Sequence, residues 1–352
     1  TTIISSHLLL FSCFRMVISD SKALVACVGG SIITYNAIRI LSELYASRKQ
    51  EWVAVGRVKH LWIYPIKSCH RREVFSLRCG PLGVSFNELR DREFLIIDED
   101  SKKMHTARTV PLLCTIQADV NDGVLTVSIP NGRSVKIVLK DVMKARNVVR
   151  ATLHAKLESE GLDCGDEVAQ LLSEYCETAG MRLIFYRPGL FNGRPCITEQ
   201  SWWDNPVPKR KDTVMYADLA PYMITTEGSL DALNEQLDTP VSSSNFRENI
   251  VVDSCVAWDE DKWAEFRIGE TILQCFKPCT RCILTTVDPE TGVKDPGMQP
   301  LKKLREFRLA PEGKLRDEFK DSPIFGVNAG LSKPGEIHLG QTVYVKYKPS
   351  AF

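Results

Sequence analysis

Short apolar runs alternate with turn-rich polar breaks along most of this chain, and only a few segments carry helical periodicity. From Val55 onward the pattern predicts strands. Val58–Tyr64 reads as a strand ending at Pro65, and Phe94–Asp98 as a short buried one. Val124–Ile129 and Val135–Leu139 flank Pro130-Asn131-Gly132-Arg133, where Asn-Gly favours a tight hairpin because both positions tolerate positive φ. Leu183–Tyr186, Tyr222–Thr225, Asn249–Asp253, Ala264–Ile268, Ile283–Val287 and His338–Val345 are further expected strands. Helical spacing runs through Asp166–Ala179, with Val168, Leu171, Leu172 and Tyr175 on one face and Gly180 as the stop. Ser229–Leu237 turns Leu230, Leu233 and Leu237 inward, and Leu301–Phe307 reads as a short helix. Many short strands with few helices predict an α+β fold, predominantly β, with a barrel-like core and flanking helices. A Gly-, Pro- and Asn-containing loop after Pro188, carrying Trp202-Trp203 and the polar run Lys209–Asp212, places a domain seam near residue 190.

The N-terminal fifty residues differ in character. Ile3–Phe14 and Ala23–Leu41 are apolar stretches, and the second is just long enough to cross a hydrocarbon core of about 30 Å. Asn36 and Arg39 interrupt it, although Arg39 is near enough to its end to snorkel. No small-x-small cleavage site precedes the charged stretch, so a retained membrane helix is expected rather than a removed signal. Arg39, Arg48, Lys49, Arg57 and Lys59 after the segment outnumber Arg15 and Lys22 before it, which places the bulk of the protein in the cytosol. Residues 1–51 are therefore expected to form a targeting and anchoring segment. Met16 offers an alternative start that would leave residues 1–15 as an upstream extension.

Composition narrows the function. Forty-five basic residues against forty-four acidic give a net charge of +1, which argues against a bulk nucleic-acid binder while allowing a local basic pocket. Twelve irregularly spaced cysteines fit a reducing compartment better than a disulfide scaffold. His7, His60, His70, His105, His154 and His338 are scattered rather than clustered as metal ligands. No Gly-rich dinucleotide fingerprint follows a strand, so direct NADH binding is not expected. Trp202, Trp203, Trp258 and Trp263 read as packing or surface anchors.

The strongest chemical signal is Cys275-x3-Cys279-x2-Cys282, with Arg281 inside it and the apolar Ile283-Leu284-Thr285-Thr286-Val287 directly after. Thiolates prefer soft metals, and a neighbouring guanidinium favours the deprotonated form. A structural zinc site normally draws four ligands from two close pairs, and only His338 follows Cys282 among the usual donors. A radical Fe–S centre usually opens a large α/β barrel of roughly 250 residues, whereas seventy residues follow Cys282. Buried, inert thiols are the plain alternative. Spacing alone does not choose Cys282 over Cys279.

A resemblance makes that choice. The segment from Cys279 to Gly292 resembles the molybdenum-cofactor-binding segment of MOSC-domain proteins, and among these it is most similar to the mitochondrial amidoxime-reducing components. In that family the Cys before the Ile-Leu-Thr-Thr sequence ligates molybdenum, so the catalytic and metal-binding role falls on Cys282, with Thr280 and Arg281 beside it. Tyr64-Pro65-Ile66-Lys67-Ser68-Cys69, Leu89-Arg90-Asp91-Arg92 and Asn245-Phe246-Arg247-Glu248-Asn249 resemble the family's cofactor-contacting segments. Lys67, Ser68, Arg92, Arg247 and Asn249 are accordingly expected to hold a pterin with an anionic tail. Arg supplies a planar fork for phosphate oxygens, and Lys a point charge. Asp218 and Asn328 match further family positions at the pterin, although some members carry an aromatic at the latter. The resemblance implies a molybdenum–molybdopterin oxidoreductase that reduces N-hydroxylated compounds such as amidoximes and N-hydroxylamines. It also implies an N-terminal MOSC-associated β domain over 52–190 and a MOSC domain over 191–352. Electrons are expected from cytochrome b5 and its NADH-dependent reductase, with the chain on the mitochondrial outer membrane facing the cytosol. The alternative is a molybdenum-cofactor carrier or sulfur-handling MOSC module without reductase turnover.

Overall fold

Strand pairing among the described residues closes a seven-stranded barrel from Val53–Ile63 (β1), Tyr222–Thr226 (β2), Ile250–Val252 (β3), Trp263–Ile268 (β4), Thr271–Thr280 (β5), Ile324–Lys333 (β6) and Thr342–Tyr347 (β7). The spatial order is β3-β2-β6-β5-β4-β7-β1, and β1 returns to β3 with Leu61 opposite Ile250. β2 and β3 run parallel, and the other pairs are antiparallel. Closure leaves no unpaired edge along the ring. Leu61, Ile63, Ile224, Ile250, Phe266, Leu273, Val343 and Val345 belong to one buried cluster, each residue 1% exposed or less. Burial of each such side chain contributes about 1.5–3 kcal/mol.

The computed structural model describes residues 34–36, 51–154, 157–191, 195–197 and 210–352. Apart from 34–36, which are helical, the expected anchor Ala23–Leu41 lies outside the described residues, as do Trp202 and Trp203. Among the described residues no helix is long and apolar enough to cross a membrane. Trp52–Phe352 forms one unit, and Thr1–Glu51 another.

A second sheet joins Val148–Leu153, Leu157–Asp163, Met181–Phe185 and Phe94–Asp98 in that order. The helix Asp166–Tyr175 packs on it through Val168, Leu171 and Leu172. It stops before Ala179 because Glu177 takes a positive φ and the Thr178 amide donates back to the Ser173 carbonyl. The expected hairpin forms: Val124–Ser128 pairs with Ser134–Val138, and Gly132 supplies φ 87° in the turn.

Two expectations change, and two long strands were not expected. Ile283–Val287 is not a strand but a 3₁₀ turn over Ile283–Thr286, closed by the Thr285 and Thr286 hydroxyls donating to the Cys282 and Ile283 carbonyls. The side chains satisfy the backbone locally, so the segment needs no partner strand. His338–Val345 divides at Gly340, with Gly335–His338 pairing to Ser76–Gly80 and Thr342–Tyr347 entering the barrel. The ten-residue strands β5 and β6 have no simple alternation because Pro278, Gly326 and Gly330 interrupt them. Gly326 is required there: at φ 79° a Cβ would sit 2.6 Å from the Ile224 carbonyl oxygen of β2. Register shifts between Cys275 and Lys277, and between Pro278 and Thr280, bend the end of β5.

Candidate functional site

The bent end of β5 forms one wall of a cleft, and loops from four other parts of the chain complete it. Lys67, Ser68, Arg92, Asp218, Arg247, Asn249, Thr280, Arg281, Cys282 and Asn328 all line this one space, although they are spread over more than 250 positions of the sequence. Met223, Asn245, Phe246 and Leu284 line it too.

β1 delivers the first side chains. Beyond Ile63 the Lys67 amide donates to the Phe94 carbonyl, and Ser68 turns the chain with φ 69°. The Lys67 side chain is buried, and its ammonium donates to the Tyr216 carbonyl at 2.8 Å and pairs with Asp218. Asp218 also meets His154 Nε2 at 2.7 Å. Desolvation in the cleft would raise the Asp218 carboxyl, but the Lys67 ammonium and the His154 ring hold it well below the usual carboxylate range.

Arg92 and Arg247 are organised by Tyr64, which the sequence placed at the end of a strand and in a cofactor-contacting segment but to which it gave no role of its own. Their guanidinium carbons lie 4.3 and 4.4 Å from the centroid of the buried Tyr64 ring. Each stacked cation contributes about 0.5–2 kcal/mol. Arg92 pairs with Asp91 and donates to the Arg247 carbonyl at 2.9 Å, while Arg247 donates to the Cys69 carbonyl at 2.9 Å. Ser68, Arg92 and Arg247 all adopt positive φ, between 51° and 69°. Non-glycine residues persist there only where surrounding contacts over-determine them. Asn249 is spent internally: its amide donates to Asp91 at 3.1 Å and accepts from the Met223 amide at 3.2 Å.

The thiols separate. Cys275 is in the barrel core, and burial pushes its thiol up to about 12. Cys279 is half-buried; burial raises its thiol, opposed by Arg281 and a hydrogen bond from Asn328. Cys282 alone among the three is exposed. Among the described residues no three His, Cys, Asp or Glu side chains converge as a metal-binding group, so Cys275, Cys279 and Cys282 do not come together as one cluster. The turn bearing Cys282 is fixed from outside by Asn245, whose amide donates to the Thr285 carbonyl at 3.1 Å. Arg281 fixes it from below. Its amide donates to the Pro323 carbonyl, Nε to Phe325 O at 2.8 Å and Nη1 to Phe246 O at 2.7 Å. Asn328 donates to the Pro278 carbonyl at 3.3 Å across β5 and β6.

Comparison with known proteins gives this arrangement a family. The MOSC N-terminal beta barrel domain matches residues 55–179 and the MOSC domain residues 211–344. Mitochondrial amidoxime-reducing component 1 of Mus musculus is 37% identical over 299 residues, covering 85% of this chain and 84% of that one. The chain belongs to the mitochondrial amidoxime-reducing component family. The Homo sapiens component 1 is 34% identical over 91% of this chain and 92% of its own, and the Bos taurus component 2 is 35% identical over 84% and 85%.

This amidoxime-reducing-component cleft brings cations and one exposed thiol into a single space. Lys67, Arg92 and Arg247 bring cations, Ser68 a hydroxyl, and Cys282 the exposed thiol. Sequence reasoning missed Tyr64, which stacks on both arginines, and His154, which it left among scattered histidines and which meets Asp218. The Tyr64–Cys69 segment signalled that β1 ends at the cofactor, without singling out the Tyr64 ring; nothing local marked His154.

Proposed function

We propose that this chain is a molybdenum-cofactor oxidoreductase reducing N-hydroxylated compounds, amidoximes and N-hydroxylamines, with Cys282 as the protein ligand to the metal. The observation that carries the reading is the exposed Cys282 thiol sharing one cleft with Lys67, Ser68, Arg92 and Arg247 in a chain of this family. The donor set fits such a cofactor. A soft thiolate suits a thiophilic metal at one end, and cations with a hydroxyl suit an anionic pterin tail at the other.

When bound, the cofactor supplies the redox chemistry that removes oxygen from nitrogen. The protein's part is positioning. Lys67 and Ser68 bind the anionic end, and Arg92 and Arg247 extend that grip from their shared Tyr64 platform. Asp218 and Asn328 offer a carboxylate and an amide to the pterin's polar edge. Thr280 and Arg281 shape the Cys282 turn, and Asn249 holds β1 and β2 together beneath it. With no nucleotide fingerprint in the sequence, electrons come from outside, from cytochrome b5 and its NADH-dependent reductase. Residues 1–51 anchor the chain on the mitochondrial outer membrane with the rest in the cytosol, an N-terminal β domain over 52–190 and a MOSC domain over 191–352. The relatives' names support the mitochondrial part of this assignment.

Metal and pterin analysis of a fragment beginning at Trp52, followed by amidoxime turnover, tests the reading. Molybdenum with pterin, and reduction supported by cytochrome b5, its reductase and NADH, is the expected result; NADH alone should fail. Molybdenum without turnover from any donor would identify a cofactor carrier or sulfur-handling module instead. A fragment that folds but takes up no molybdenum would overturn both.

A further inference from the structure

One buried acid has no task in the positioning scheme above. Glu248 lies between Arg247 and Asn249 of the cleft wall and is 0% exposed. Neither carboxyl oxygen makes a hydrogen bond of ordinary geometry among the described residues, although its own backbone amide and the Ser243 side chain act on it closely enough to lower its carboxyl. Trp62 Nε1, the Tyr64 hydroxyl and Arg71 Nε are buried and unpartnered as well. These groups belong to one place. Trp62 and Tyr64 project from the same face of β1 and pack together with Val251. The Arg71 guanidinium lies 4.6 Å over the Trp62 ring. After burial itself, Glu248 is the charge that most raises the Tyr64 phenol, and Arg71 acts on the same phenol. Buried donors and acceptors left unpaired by protein from several segments, and close together, are the usual setting of internal water.

The surroundings give Glu248 a proton to hold and a route to refill it. Burial raises its carboxyl to about 7, opposed by hydrogen bonding from its own backbone and Ser243 and then by the charges of Arg281 and Arg71. Arg71 reaches outward: its Nη1 donates to Glu290 at 2.7 Å, and His70 Nε2 meets the other Glu290 oxygen at 3.2 Å. Arg71 and Glu290 also line a second, wide cleft. Arg247 and Asn249, its neighbours in the chain, line the Cys282 cleft, and Asn245 lines both clefts.

We propose that Glu248, with Tyr64, Trp62 and Arg71, lines an internal water site that delivers protons from the second cleft to the Cys282 cleft, Glu248 being the group that holds the proton. The inference rests on the N-reductive reading. Converting an N–OH group to N–H and water consumes two protons and two electrons, the electrons arriving from an external haem or flavin protein. Glu248 gives up its proton and becomes a carboxylate facing Arg71 and Arg281. A solvent proton entering at the His70–Glu290 rim restores the acid.

Glu248→Gln in the full chain is the test, because glutamine keeps the shape and mimics the neutral form. Infrared spectra of cofactor-free protein should differ between wild type and Glu248→Gln by one carboxylic C=O component that disappears as pH rises through about 7, over and above the band from other buried acids such as Glu93. In the loaded enzyme Glu248→Gln should keep cofactor content and Tm, lower kcat by about tenfold or more, and remove the decline of kcat as Glu248 ionises. Tyr64→Phe retains the stacked ring and should lower kcat about threefold with the same pH limb, as expected for losing one link of a water relay. Absence of the Glu248-dependent band, or a Glu248→Gln enzyme with wild-type rate and pH limb, overturns the proposal. So does Glu248→Gln protein that loses cofactor and Tm together, which is a structural role. A Glu248-dependent band in a protein without N-reductive turnover ends the relay through failure of the functional reading, leaving only the buried acid.

Discussion

Replacing Arg281 by Ala separates a strut from a ligand. The side chain is 7% exposed, and its guanidinium serves the Phe325 and Phe246 carbonyls while lying 5.4 Å over the Phe246 ring. Losing charge-assisted hydrogen bonds to two buried carbonyls at about 1.5–3 kcal/mol each, partly offset by water entering the gap, gives a net cost of about 3–5 kcal/mol. For a folded unit of this size that lowers Tm by roughly 5–8 °C. The Pro323 bond is made by the backbone and survives, so the Cys282 turn should loosen rather than detach. Thermal unfolding of cofactor-free Arg281→Ala, beside molybdenum content of the loaded protein, reads both effects. The expected outcome is a large fall in Tm of the cofactor-free protein with partial loss of metal, and Arg281→Lys in between. An unchanged Tm with complete loss of cofactor would refute the strut and make Arg281 a direct ligand.

Cys282→Ser should abolish molybdenum retention with Tm unchanged, whereas Cys279→Ser should retain metal; equal loss in both variants would undo the ligand assignment. Cys275→Ser should also retain metal but cost about 1–3 kcal/mol, measured by urea unfolding, because it places a hydroxyl in the barrel core. Lys67→Ala removes a charge-assisted contact of about 1.5–3 kcal/mol and should purify with substoichiometric pterin, a tenfold or larger loss of retention. Normal pterin content would make Lys67 structural only. Burial raises the Glu93 carboxyl from 4.5 to about 7, with Arg90 and Arg187 opposing. The folded state therefore holds this proton more tightly than the unfolded chain. About 3 kcal/mol of stability is present below about pH 4.5 and lost as pH rises through about 7. Glu93→Gln should flatten unfolding free energy between pH 5 and 8, and an unaltered slope would refute the assignment.

Sequence by itself determined the features that local chemistry controls. Gly132 specified its hairpin because few other residues tolerate the φ of 87° its turn requires, and the apolar face of Asp166–Tyr175 specified its helix and its buried side. The motif around Cys282 pointed to the thiol that proves to be exposed, since motif residues travel together along the chain. What tertiary structure decided is everything that depends on strand pairing. β5 and β6 were hidden by Pro278, Gly326 and Gly330, which look like breakers locally but fit bulges and a close backbone approach once neighbouring strands are in place. The Ile283–Thr286 segment has the composition of a strand, yet no strand pairs with it, and its threonines close a turn instead. Arg92 and Arg247, 155 positions apart, share the Tyr64 ring because β1 closes the barrel against β3; likewise His154 reaches Asp218. Such neighbours are set by the register of hydrogen bonds between distant strands, and a one-residue slip would turn every side chain to the opposite face. That register is a property of the closed sheet as a whole, which no local stretch of residues encodes.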